Sequence, residues 1–276
     1  MKIGLRAHDC IRSSTIELVK AVKEYGFDSI QFVLKKAVKE YNFIKEELTI
    51  EKAKNVAELS KGINKCMMGA YFNPVHSNKE KVASDVAYFK KCLDYAHLFD
   101  CELVGSETGS YNDEPWTYHP KNQTLEGFNE SLQVFKHLVE YSKNTKAKVA
   151  IEGAWGHVMY APKVLKKMYD ELNSDNVKII IDVYNYLYIG NYMNALDILK
   201  ESLELFGENI EIFHIKDFIV EEGTLKQVAI GKGIMPWKEM FPLIKKTCPN
   251  ATLVFEGSKE EDFEFSLKFV KECLGE

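Results

Sequence analysis

The stretch NVKIIIDVYN, Asn176 to Asn185, sets three isoleucines in a row and follows them with a carboxylate. A short β-branched run between turn-forming residues reads as a strand buried on both faces, the kind found in parallel sheets. Asp182 stands near the end of that strand. An aspartate in such a place is commonly a turn residue. Whether its charge is wanted there depends on what the other strands bring.

Seven more runs share this character: KIGLRAH (2–8), DSIQFVL (28–34), INKCMMGAYF (63–72), CELVGSE (101–107), KVAIEGA (148–154), IEIFHIK (210–216) and TLVFEGS (252–258). Between them lie segments of helical period. SSTIELVKAVKEY (13–25) aligns Ile16, Val19 and Val22, with Ser13 or Ser14 as N-cap. TLEGFNESLQVFKHLVEYSK (124–143) aligns Leu125, Phe128, Leu132, Phe135 and Leu138, and SLKFVKEC (266–273) closes the chain. Strand–helix alternation implies parallel strands with right-handed crossovers. Eight such units point to an α/β fold, a single (β/α)8 TIM barrel over residues 1–276. A doubly wound open sheet is the alternative, but no GxGxxG follows the first strand. The longest insertion, TGSYNDEPWTYHPKNQ (108–123), offers Trp116, Tyr118 and His119 to cover the barrel mouth or a subunit contact.

Composition narrows the partners. Forty-six per cent of the 276 residues are hydrophobic, enough for one large core, and the formal net charge is −5. An acidic balance argues against nucleic acid as a partner, which would need clustered Lys and Arg. The sequence has no signal-peptide run and no stretch of about 20 apolar residues, so no membrane partner is expected. Cys10, Cys66, Cys92, Cys101, Cys248 and Cys273 are scattered and form no CxxC pair. They read as reduced thiols in a cytoplasmic protein.

The last four barrel strands end alike, in Glu152, Asp182, His214 and Glu256. Active sites of such barrels lie at the C-terminal ends of the strands. Two residues before each polar group stand Ala150, Ile180, Ile212 and Val254, an apolar layer beneath if all point inward. Three carboxylates meeting there would repel and be costly to desolvate, and a divalent cation offsets that cost. Oxygen and nitrogen ligands together suit one Mn2+, Co2+, Zn2+ or Mg2+ ion.

IEGAWG (151–156), IIIDVYN (179–185), IFHIKDF (212–218), IGKGIMPW (230–237) and LVFEGS (253–258) occur in this order and spacing. In these stretches the chain resembles the sugar-phosphate isomerase/epimerase group of xylose-isomerase-like TIM barrels, over essentially its whole length. The resemblance implies Glu152, Asp182, His214 and Glu256 as metal ligands, with Glu152 and Glu256 flanking the reacting carbon and moving its proton. The expected activity is isomerisation or epimerisation of a small carbohydrate (a ketose, keto-sugar or sugar phosphate) by way of an enediolate that the cation stabilises. The resemblance also suggests a homodimer or homotetramer. A related dehydratase or lyase on a polyol or keto-sugar, or a non-catalytic sugar-binding barrel, are the alternatives. Abasic-site endonucleases share the barrel but need many histidines, and this chain has seven.

The pattern departs at Asn185, where family members often carry the histidine of Asp-x-x-His. An amide still hydrogen-bonds a sugar oxygen but carries no proton at neutral pH. Lys216 faces the rim by strand period, either for substrate or for an ion pair with Asp217 or a glutamate. Gly231 and Gly233 permit close backbone approach, and Pro236 begins a helix. Further pocket candidates are His8, Arg6, Gln31 (where the family often has glutamate), Tyr71, Asn73, His76, Glu107, Trp155 and His157. Of these, His8, Trp155 and Tyr71 join Asn185 and Lys216 as the expected substrate-binding set.

Overall fold

A computed structural model describes residues 1–114 and 116–276; Pro115, inside the 108–123 insertion, lies outside the described residues. The strands are β1 (Lys2–Arg6), β2 (Ser29–Phe32), β3 (Asn64–Gly69), β4 (Leu103–Glu107), β5 (Lys148–Glu152), β6 (Val177–Asp182), β7 (Ile210–Ile215), β8 (Asp217–Glu221), β9 (Thr224–Val228) and β10 (Thr252–Phe255). All but β8 and β9 form one closed parallel barrel, sealed where β1 pairs with β10. The eight sequence runs are thus the eight barrel strands, each trimmed at its ends.

The helices are α1 (Thr15–Tyr25), α2 (Leu34–Ala37), α3 (Ile50–Leu59), α4 (Lys79–Tyr95), α5 (Leu125–Ser142), α6 (Pro162–Leu172), α7 (Ala195–Phe206), α8 (Trp237–Thr247) and α9 (Phe263–Leu274). Ser14, not Ser13, caps α1, its hydroxyl accepting from the Glu17 N–H at 3.3 Å. Two predicted core positions prove exposed: Ile16 at 57% and Leu125 at 66%. The buried stripe of α1 runs through Leu18, Val19 and Val22, and at 100° per residue Ile16 lies roughly a third of a turn away from it. Leu125 is the first residue of α5, a turn before Phe128, where the packed layer begins.

Alternation along the strands sorts the apolar residues into two cores. Outward-facing Ile151, Ile181, Phe213 and Phe255 join the helices in the large one. Met67, Leu103, Ala150, Ile180, Ile212 and Val254 fill the barrel interior as a separate small cluster. The predicted layer of Ala150, Ile180, Ile212 and Val254 therefore exists, and it floors the site above it. Gly105 on β4 belongs to the same floor. A Cβ there would come within 2.2 Å of the Met67 sulfur and 3.0 Å of Ile180 Cδ1.

The antiparallel hairpin β8–β9 was not read from the sequence. Its two-residue turn, Glu222 (φ 50°) and Gly223 (φ 71°), has both residues left-handed, as tight hairpins favour. The signal was present as Glu-Gly between FIV and LKQV, though each flank is short.

Because the floor is already full, Gly105→Ala is expected to destabilise by about 1–3 kcal/mol. Denaturant unfolding measures it, and adding Met67→Ala should recover part of the loss.

Candidate metal centre and active site

Three of the four predicted groups sit at or beside the last residue of their strands: Glu152 closes β5, Asp182 closes β6 and Glu256 follows β10, while His214 lies one residue before the end of β7. Register staggers them two residues at a time: Asp182 is opposite His214, but Glu152 is opposite Ile180 and His214 opposite Val254, two residues before Glu256. One ligand atom from each lies within 4.8 Å of all the others. His214 Nε2 is 2.6 Å from Gln31 Oε1, and the Gln31 amide in turn donates to the Tyr71 hydroxyl at 2.8 Å. The Gln31 oxygen is therefore an acceptor, so Nε2 donates to it and Nδ1 is the ring atom turned toward the carboxylates, carrying a proton that a metal ion would replace. Nδ1 points at Glu152 Oε1 (3.2 Å) and Glu256 Oε2 (3.0 Å), yet it makes no aligned hydrogen bond to either. Nδ1 and the carboxylate oxygens converge on one point without an aligned hydrogen bond, and a cation standing there in place of the Nδ1 proton would satisfy them together. The donor set fits a divalent ion held by one imidazole and three carboxylates.

Positive side chains of the protein crowd the same point. Lys216 Nζ lies 2.9 Å from Asp182 Oδ2 and 2.9 Å from Glu256 Oε1, and donates to Asn185 Oδ1 at 3.0 Å. Arg6 donates to Glu256 Oε1 at 2.8 Å while its other nitrogens hold Asp9. Asn185 donates to Glu152 Oε1 at 2.8 Å, and its backbone N–H to Asp182 Oδ1 at 3.1 Å. Asn185 thus ties Glu152 to Lys216. Lys216 makes its ion pairs with Asp182 and Glu256 and not with the adjacent Asp217.

Burial opposes charge on every member, and the neighbours decide the outcome. For His214 burial acts downward, but the Glu152 and Glu256 carboxylates win and hold it well above the usual imidazole range. Burial pushes Glu256 up, while Lys216, His214 and Arg6 pull it well below the usual carboxylate range. Asp182 goes the other way, raised to about 6 by burial against the pull of Lys216. Glu107 is pushed up to about 8 by burial and then by Glu152 and Glu256.

A cavity of about 490 Å3 opens onto this centre, within the range of small-molecule sites. Its inner wall includes Glu152, Glu256, Arg6, Gln31, Tyr71 and Glu107; Lys35, Lys36, Lys81, Asp85 and Glu114 stand in its outer wall. His8 lines it too, and burial, Arg6 and Lys36 depress the imidazole to about 3, so it is uncharged. Trp116 reaches the cavity from the 108–123 insertion. The expected substrate contacts Lys216 and Asn185 are not among the lining residues, and neither is Trp155. Its ring is stacked with Tyr188 (centroids 4.1 Å apart) and Tyr118 (5.7 Å), joining the loops after β4, β5 and β6.

Other candidates serve the loops. Asn73 donates to Ser110 and Asp113 carbonyls, and His76 Nδ1 accepts from the Asn78 N–H. Buried His157 packs edge-on against Trp116. His119 accepts from the Lys121 N–H and caps a short turn. The two glycines of IGKGIMPW approach the protein itself. The Asp217 carboxylate accepts backbone N–H groups from Phe218, Gly231, Gly233 and Met235. A Cβ on Gly233 would lie 2.1 Å from Asp217 Oδ1. Pro236 is the residue before α8. Sequence reasoning missed Gln227 of the hairpin, which donates to the Glu256 carbonyl at 2.6 Å and steadies that strand end. It gave Gln31 no role as the orienting partner of His214.

A sequence model of a family described as xylose isomerase-like TIM barrel matches residues 19–273. No curated protein matches the sequence. Solved structures share the fold at low identity. A D-tagatose 3-epimerase-like protein is 18% identical over 100% of this chain and 97% of its own, with a TM-score of 0.77. The IOLI protein, described with a binding zinc atom, is 17% identical over 99% and 96% with a TM-score of 0.73. A probable 3-DHS dehydratase, AsbF from Bacillus anthracis, is 15% identical over 98% and 99% with a TM-score of 0.71.

Two pH effects follow from the charge cluster. Asp182 and Glu107 keep their protons to about 6 and about 8 when folded, whereas the unfolded chain releases them near pH 4. Their stabilising contribution is complete below about pH 4 and is lost as pH rises through those values. The melting temperature of metal-stripped protein is therefore expected to fall across that window, and to fall less with manganese present. Manganese must also displace a proton from His214, so its affinity should rise with pH. Calorimetric titration in buffers of different ionisation enthalpy would show the proton released.

Proposed function

Since the chain belongs to the xylose isomerase-like TIM barrel family, we propose that it is a divalent-metal-dependent isomerase or epimerase of a small carbohydrate. The observation that carries this reading is the convergence of one ligand atom each from Glu152, Asp182, His214 and Glu256 within 4.8 Å of one another, with Glu152 and Glu256 lining a cavity. When bound there, the ion supplies Lewis-acid polarisation of a substrate carbonyl, which acidifies the neighbouring C–H bond.

The chain's own residues do the rest. Glu256, kept ionised by Lys216, His214 and Arg6, is equipped to accept a proton. Glu152 stands on the other side of His214 and is oriented by the Asn185 amide. One carboxylate takes the proton from carbon and the other returns one to the opposite face, which inverts that centre. Return to the adjacent carbon interconverts aldose and ketose. Lys216 bridges the Asp182 and Glu256 carboxylates, and Asn185 holds Glu152. Three lysines facing two carboxylates in the outer wall leave it nearly balanced. That rim suits a neutral or singly charged polyol better than a highly charged one.

Elemental analysis of purified protein, joined to NMR of a ketose panel in deuterated water, tests the reading. One bound divalent ion per chain and deuterium entering at one carbon are expected. Glu152→Gln should cut turnover by about 10²–10⁴-fold. Metal-loaded protein that exchanges no carbon-bound proton in any sugar would end the proposal, and release of water would mark a dehydratase.

A further inference from the structure

The polar side chains around the centre are linked in one network: Arg6 with Glu256, Gln31 with His214 and Tyr71, Asn185 with Glu152 and Lys216. Glu107 is left out of this network. It ends β4 and pairs in parallel register with Glu152 of β5. Register partners on neighbouring strands face the same side of a sheet, so Glu107 points inward beside Glu152. It lines the cavity. Its side chain makes no hydrogen bond or ion pair with any described residue, although the residues beneath it are the apolar floor of Met67, Leu103 and Ile180.

Glu107 is half-buried and its carboxyl has no partner in the fold, only the cavity beside it. The fold has no evident use for it. Its oxygens face the space that a ligand would fill, one strand further round the barrel from Glu152. We infer that Glu107 is a specificity-determining residue, whose carboxyl hydrogen-bonds a substrate hydroxyl on a carbon next to the reacting one. The inference rests on the reading of the cavity as a site for a polyhydroxylated substrate. Its chemistry selects polyols that keep that hydroxyl over their deoxy counterparts, because a deoxy sugar would leave the carboxyl unpaired.

Glu107→Leu and Glu107→Gln separate this role from others. Manganese content should stay at the wild-type level in both. The KM for the best ketose of a panel of D-fructose, D-tagatose, D-psicose and D-xylulose should rise about 10–100-fold in Glu107→Leu, with kcat changed much less and Glu107→Gln intermediate. The metal-free Glu107→Leu protein should melt about 2–4 °C higher, since the unpartnered carboxyl is gone. A lower melting temperature would make Glu107 a structural residue. Lost manganese would make it a ligand, and a fall in kcat at unchanged KM would make it a proton carrier; each result overturns the inference. If wild type turns over a ketose and Glu107→Leu does so with the same KM, the inference alone fails. If wild type neither binds nor converts any sugar of the panel, the function proposed above fails and takes this with it.

Discussion

Three carboxylates and an imidazole share one buried ring only if positive charge is held among them. Everything near the barrel mouth answers to that constraint. Lys216 and Arg6 enter from β7 and β1, and both reach Glu256. Asn185 adds no charge, but it passes a hydrogen bond from Lys216 to Glu152. The His214 ring is turned by Gln31 so that Nδ1 faces the carboxylates. The apolar floor below keeps water from entering and screening the cluster from beneath.

The same constraint explains why the site is built from strand ends. A strand delivers its side chain at a height fixed by register and a direction fixed by alternation. Asp182 and His214 are register partners, and so are Glu107 and Glu152. Supporting residues come from less regular places. Asp217 gathers a four-donor loop behind Lys216, and Trp237 donates to the Lys216 carbonyl. The hairpin then pins the backbone of Glu256 through Gln227. Precision at the centre thus depends on a second ring of backbone contacts.

Much of this was legible in the residues. The isoleucine run before Asp182, repeated as VAIEG, IFHI and LVFEG, fixes both the strands and the inward face of the four polar groups, because period-two alternation is strict. What stayed hidden depends on partners distant in the chain. Gln31 and His214 are 183 positions apart, and nothing local to either says that they meet. The exposure of Ile16 and Leu125 shows the limit of periodicity, which places a residue on a stripe and does not say where the packed layer starts. The glycines of IGKGIMPW do make room, but for the protein's own groups: Gly233 for Asp217 and Gly231 for Phe269.

The stacked rings of Tyr118, Trp155 and Tyr188 tie together loops from three successive strands. Of the three tryptophans in the chain, Trp155 sits in this stack, Trp116 faces the cavity and Trp237 is buried behind Lys216. Two indoles therefore stand at the mouth in unlike surroundings, one sandwiched by phenols and one beside the substrate space. The protein carries its own optical reporter: ultraviolet emission from these indoles registers rearrangement of the mouth without any attached dye.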